Sequence, residues 1–289
     1  MKKISLILIV CLSALVVGCT SGDRARALKS GLSEAAFESV VGGDSTHLYV
    51  ITNASGMEVC VTNYGGRVVS VMVPDRDGHY RDVVLGFDSI APYVNVEGNN
   101  FGALIGRYGN RIENGRFTLD GKAYQLPRNN YGHSLHGGPE GFFAQMWQAR
   151  QVDAQTLELT HSSPDGFAGY PGRLDVKVTY RVTDDNALDI AYEAVTDAPT
   201  IVNLTNHSYF NLGDHASNIL AHEVMIAADS ITPIDSTFMT HGTMMAVEGT
   251  PFDFRQPKAV GRDIEADDEQ LRNGRGYDHN FVLNTGGDI

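Results

Sequence analysis

The chain has 289 residues, with 22 basic and 35 acidic side chains and a formal charge of −13. That surplus of carboxylates argues against nucleic acid as a partner and against electrostatic adhesion to anionic lipid. Of the cysteines, Cys11 and Cys19 fall in an N-terminal export segment, so Cys60 is the one thiol left for a folded part, and stability must come from a buried core rather than from disulfides.

Lys2 and Lys3 precede an apolar run from Ile4 to Val17, which closes on Val16-Val17-Gly18-Cys19. The run is too short to span a bilayer as a mature helix and reads as a secretory signal over residues 1–18. Its last four residues resemble a bacterial lipobox. That resemblance implies cleavage before Cys19 and a lipid on that cysteine, the sole membrane attachment expected. With Thr20 after the cysteine, it also implies an exported protein on the periplasmic side, anchored to the outer membrane. Residues 19–43 read as a lipidated tether, carrying Ser21, Gly22, Gly31, Gly42 and Gly43, with a short helix expected between Arg24 and Val40.

From residue 44 onward strands dominate. Leu48 to Ile51, Met57 to Val61 and Arg67 to Val73 are β-rich runs separated by turn residues. Asp75-Arg76-Asp77-Gly78 lacks the later ligands of a calcium loop and reads as a hairpin turn. Arg116 to Leu119 and Lys122 to Leu126 flank Asp120-Gly121, a strong local hairpin pattern. Leu174 to Val182 and Ala187 to Val195 alternate around Asp184-Asp185-Asn186 and predict a second hairpin. No long helical period and no repeat is present. The expectation is one all-β domain over residues 44–289, an antiparallel β-sandwich.

Long polar loops interrupt the strands at Gly98 to Ile112, Arg128 to Gln145 and Ser162 to Arg173, and loops of that length tend to be functional. Gly106-Arg107-Tyr108-Gly109-Asn110-Arg111-Ile112 holds two guanidiniums and an amide, but its glycines match no nucleotide loop; arginines capping carbonyls are the alternative. His133-Ser134-Leu135-His136-Gly137-Gly138 offers two histidines without a cysteine pair or a second ligand motif, so no metal site is expected. Val202 to Leu212 begins as an alternating strand and carries His207 among amides, hydroxyls and the rings of Tyr209 and Phe210. An imidazole that titrates near neutrality beside such groups suits a ligand rich in hydroxyls, such as a sugar. In Tyr277-Asp278-His279-Asn280-Phe281 a carboxylate stands at the entrance to a strand, either to accept bonds from hydroxyls or to close its own turn.

Asn110-Arg111-Ile112, Ser134 to Gly138, Val202 to Leu212 and Tyr277 to Phe281 stand in the order and spacing of the aldose 1-epimerases, the galactose mutarotases. The chain resembles that family from about residue 45 to its end, also at Asp82 to Phe87, Ser163 to Gly166 and Gly169 to Gly172. The resemblance implies a large twisted β-sandwich with an open surface cleft for a small-molecule sugar. It also implies interconversion of the α and β anomers of free hexoses, such as glucose and galactose, without cofactor or metal. By the same resemblance His207 matches the general acid that protonates the ring oxygen. Asn110, Arg111, His136 and Asp278 match positions that hold sugar hydroxyls, and Tyr209 lines the site. His133 lies where the family keeps no histidine, and His279 reads as structural.

Ring opening needs a base at the C1 hydroxyl as well as an acid at the ring oxygen. The family's base is a glutamate in a strand beyond the aspartate motif, and no glutamate of this chain stands in a comparable context. Phe281-Val282-Leu283 followed by Asn284 to Asp288 reads as a strand and a turn without a returning strand. The expectation is therefore a domain incomplete at its C-terminus, with activity impaired for want of that base. Two alternatives stand beside it: a non-catalytic carbohydrate-binding relative, and an epimerase of a phosphorylated sugar, supported by Arg107 and Arg111.

Overall fold

The computed structural model describes residues 27–95, 99–213, 215 and 217–284, and in it the alternating runs become strands of antiparallel sheets. Leu48–Thr52, Glu58–Thr62, Arg67–Pro74 and Tyr80–Asp82 pair in that order into one sheet. Gln148–Gln151, Thr156–Ser163, Leu174–Val182 and Leu188–Thr196 form a second. Ile51, Val59, Val61 and Val71 of the first meet Leu157, Leu159, Val176, Val178 and Tyr180 of the second in one buried core. Two antiparallel sheets sharing an apolar interior are the expected β-sandwich.

Both expected hairpins form. Leu174–Val182 and Leu188–Thr196 pair along their whole length, from Leu174 opposite Thr196 to Val182 opposite Leu188. Arg116–Leu119 and Lys122–Gln125 pair around Asp120 and Gly121, which take φ of 50° and 76°, the left-handed geometry that a two-residue hairpin turn requires.

From residue 27 onward the expected tether packs on the domain instead of standing free of it. Leu28 and Phe37 are buried against Leu48, Cys60, Val69, Ile90 and Tyr93, on the face of the first sheet that points away from the sandwich core. This second cover explains why every residue of Glu58–Thr62 is buried. Glu58 sits dry in that strand, and one of its oxygens accepts from the backbone of Lys29 and Ser30. The expected helix is also absent among the described residues. Gly31 at φ 73° interrupts it, leaving a single 3-10 turn at Glu34–Phe37 before Ser39–Val41 pairs with Asp44–Thr46. Residues 1–18 and Cys19 lie outside the described residues.

A smaller lobe follows the sandwich. Ala228–Thr232 pairs with Met245–Ala246 on one side and Asn280–Leu283 on the other, over a core of Ile231, Val247, Phe252 and Leu271. Its helix Glu269–Gly274 starts at Asp268, whose carboxylate accepts from the backbone of Gln270 and Leu271. Arg275 in the left-handed region (φ 55°) ends that helix and turns the chain toward Asp278. The expected final strand thus exists, as an outer strand of this three-stranded sheet.

Candidate active site

The segment from Val202 to Leu212 lies across the sandwich and is pinned along its length. Thr205–Asn206 pairs with Leu104–Ile105, the backbone of His207 bonds to Ala103 and Gly102, and Leu85 donates to the Tyr209 carbonyl. Much of its polar content serves this pinning. Asn203 donates to the Gly109 carbonyl and Asn206 to that of Gly102, while the Asn206 oxygen accepts from the backbone and hydroxyl of Ser208. What remains turned to the site is the imidazole of His207 and the ring of Tyr209, itself 41% exposed and set edge-on to Phe101.

The second side of the site comes from two short paired strands, Arg111–Ile112 and Ser134–Leu135. They deliver Asn110 and His136, both at positive φ (63° and 56°), to facing positions. The backbone of His136 donates to the Asn110 carbonyl, and the Asn110 backbone donates to Nδ1 of His136 at 3.0 Å. Gly137 follows at φ 87°, where a Cβ would stand 1.9 Å from the Gly106 carbonyl oxygen, so only glycine lets the loop close here. Arg111 directs Nε and Nη2 to the Asn130 side-chain oxygen at 3.2 and 2.9 Å.

These elements bring the imidazoles of His136 and His207 into edge-to-face contact, with centroids 5.1 Å apart, and Tyr209 lies 5.0 Å from His207 on another side. Asp278 arrives from the small lobe, and its charge acts on His207, Tyr209 and Arg111. All six residues expected from the sequence therefore belong to one neighbourhood.

Protonation states follow from this packing. Burial, reinforced by the positive fields of His207 and Arg111, holds the His136 pKa at about 3, so the ring is neutral at pH 7. Its Nδ1 accepts from a backbone N–H, which leaves the proton on Nε2 as a donor. Burial also lowers the pKa of His207; Asp278 opposes that shift and Arg67 adds to it. Desolvation first and Asp278 second raise the pKa of Tyr209, so its hydroxyl keeps its proton. Desolvation lowers the pKa of Arg111, against the pull of Asp278, within a range where the guanidinium stays charged. The cluster thus offers donors from Arg111, His136 and Tyr209, an acceptor in Asp278, and a titratable imidazole among them.

Other residues singled out from the sequence serve the fold. Arg107 is buried and donates to the hydroxyl and carbonyl of Ser163 and the carbonyls of Pro164 and Pro171, so it clamps the 162–173 loop and offers no charge to a phosphorylated sugar. His133 is buried between the Asn114 backbone and the Thr237 hydroxyl. His279 bonds to Gln270 and packs on Phe252. Asp75 accepts from the backbone of Asp77 and His79 inside its turn. An open pocket of about 840 Å³ lined by His47, Trp147, His161 and Lys177 contains none of the six residues expected from the sequence. Asn130, the anchor of Arg111, went unnoticed in the sequence; its position in the long 128–145 loop was the sole hint.

A family model for aldose 1-epimerase matches residues 47–288. The aldose 1-epimerase of Escherichia coli K12 is 42% identical over 247 residues, which cover 85% of this chain and 70% of that protein. The galactose mutarotase of Rattus norvegicus is 44% identical over 228 residues, 78% of this chain and 64% of that protein. The crystal structure of galactose 1-epimerase from Lactobacillus acidophilus NCFM superposes with a TM-score of 0.78 at 32% identity, covering 86% of this chain and 73% of that one.

Proposed function

The chain belongs to the aldose 1-epimerase family, and we propose that it interconverts the α and β anomers of free hexoses such as glucose and galactose by acid–base ring opening and closure. The observation that carries this reading is the paired imidazoles of His136 and His207 with the charges of Arg111 and Asp278 around them. In ring opening the C1 hydroxyl loses a proton while the ring oxygen gains one; the aldehyde then rotates and the steps reverse. His207 is assigned the proton at the ring oxygen. Its lowered pKa makes its protonated form a stronger acid, and Asp278 supports that form. His136 Nε2–H, Arg111 and Asn110 donate to ring hydroxyls, Tyr209 lines the same face, and Asp278 accepts.

The base is the weaker half of the pair. Among the described residues, the carboxylate whose charge acts on His207 is that of Asp278, which also acts on Arg111. A carboxylate shared in this way is a poor free base, so we propose that residues 1–289 by themselves turn over slowly. Export and lipid attachment at Cys19 complete the proposal, on the support of the sequence of residues 1–19. The test is polarimetry of α-glucose and α-galactose. The expected result is acceleration above the buffer rate that His207→Ala removes, since a lost general acid costs about 10²–10⁴-fold. Acceleration undiminished in His207→Ala would withdraw the acid assignment. Sugar binding without any acceleration would favour the carbohydrate-binding relative.

A further inference from the structure

Arg67 opens the strand Arg67–Pro74 with a side chain that is 1% exposed, and it stands outside the set of groups assigned to sugar. Its Nη1 donates to the Phe101 carbonyl at 3.1 Å, and its Nη2 to the carbonyls of Asn99 and Phe143 at 3.0 and 2.9 Å. The rings of Tyr93 and Tyr64 flank the guanidinium, their centroids 5.3 and 5.8 Å from its central carbon. Each of these partners is neutral. Burying a cation among carbonyls and rings is a costly choice for a residue that only fills space. Burial lowers its pKa to about 10, so the charge persists at pH 7.

The segment that Arg67 grips leads directly to the acid. Phe101 sets its ring edge-on to Tyr209 at 5.0 Å. The Gly102 backbone donates to the His207 carbonyl at 3.1 Å, and the Ala103 carbonyl accepts from the His207 N–H at 2.8 Å. The Gly102 carbonyl accepts from the Asn206 side chain at 2.8 Å and from the backbone of Val68, next to Arg67, at 2.9 Å. At Gly102 φ is 65° and a Cβ would stand 1.9 Å from the Val68 carbonyl oxygen, so the segment lies flush against the strand. His207 thus hangs on a backbone that Arg67 fixes from within the fold. The other titratable groups that face its imidazole are His136, Tyr209 and Asp278. Arg67 adds a positive field that disfavours the imidazolium, in the direction already set by burial.

We propose that Arg67 is a positioning residue of the epimerase reaction, acting from outside the sugar cleft. It fixes the 99–103 segment, and through it His207 and Tyr209, relative to the bound sugar, and it leaves the sugar itself untouched. This rests on the reading of His207 as the proton donor to the ring oxygen.

The test compares the full chain with Arg67→Gln, which removes the charge, Arg67→Met, which also removes the donors, and Arg67→Lys, which keeps the charge. Each is followed by NMR titration of the His207 ring against pH, by glucose binding and by polarimetry of α-glucose. Both neutral variants should move the His207 titration upward, and Arg67→Lys should return it toward that of the parent. Acceleration should fall roughly tenfold or more in the neutral variants, as expected of a displaced proton donor. Glucose affinity should stay within about twofold of the parent, the pattern of a group that serves the reaction rather than binding. A folded neutral variant that keeps either the parent's His207 titration or the parent's acceleration overturns the proposal. Loss of glucose binding overturns it by placing Arg67 among the sugar ligands, and failure of both neutral variants to fold overturns it by reducing Arg67 to a support of the fold. A parent without acceleration overturns the epimerase reading, and the proposal with it.

Discussion

Asn130 makes no contact that the reaction requires, yet its removal should be felt in sugar binding. Its side-chain oxygen receives Nε and Nη2 of Arg111 at 3.2 and 2.9 Å, whereas the bond from Arg111 to Asn110 is long, at 3.4 Å. Asn130→Ala therefore leaves the guanidinium with Phe238 beneath it and one weak polar partner. Hydrogen bonds to charged groups contribute about 1.5–3 kcal/mol, and because both of these share one acceptor on a half-buried side chain, a total near 1.5 kcal/mol is the reasonable figure. Glucose and galactose should then bind about tenfold more weakly. The loss should fall on the dissociation constant measured by NMR titration, with the pH dependence of any turnover unchanged, because His207 is untouched. Asn130→Asp keeps the acceptor and should retain most of the affinity. If Asn130→Ala binds both hexoses within twofold of the parent while melting normally, Arg111 is either held well enough without Asn130 or does not touch sugar.

Acid should expose the cost of the buried imidazole. The pKa of His136 falls from 6.5 in the unfolded chain to about 3 in the fold, so the unfolded state gains a proton first and stability is lost as pH drops from about 6.5 toward 3. Thermal unfolding at pH 7 and pH 5 should accordingly show a smaller drop in His136→Gln than in the parent, and equal drops would contradict the assignment. Arg107→Met strands the carbonyls of Ser163, Pro164 and Pro171 and should cost at least about 3 kcal/mol in denaturant unfolding; a cost below about 1 kcal/mol would return that arginine to the list of ligand-binding candidates. Palmitate labelling in a bacterial host should depend on Cys19, and labelling that survives Cys19→Ala would remove the lipid anchor.

The strands were legible where one face is wet. Leu174–Val182 buries alternate residues, so its hairpin and register follow from the pattern. The segment from Leu28 to Thr46 was not legible, because its few apolar residues follow no period. Leu28 and Phe37 matter only because the outer face of the first sheet is apolar at Cys60 and Val69, a fact of tertiary packing. The polar richness of Val202 to Leu212 serves mostly the fold. Asn203, Asn206 and Ser208 satisfy backbone and one another, and what the segment gives to chemistry is His207 and Tyr209.

A harder limit concerns how the acid and the carboxylate are held together. His207 and His136 ride on the sandwich, while Asp278 follows the helix of the small lobe. Residues 235–241 stitch the two bodies, through Thr237 to His133 and through Phe238 to Arg111. No motif marks that loop, because its work lies in shape: a left-handed phenylalanine wedged under an arginine far away in sequence. The histidine that looked idle in the sequence, His133, is one of these fasteners. Mutations there are expected to shift Asp278 relative to His207 without altering any side chain of the proposed site.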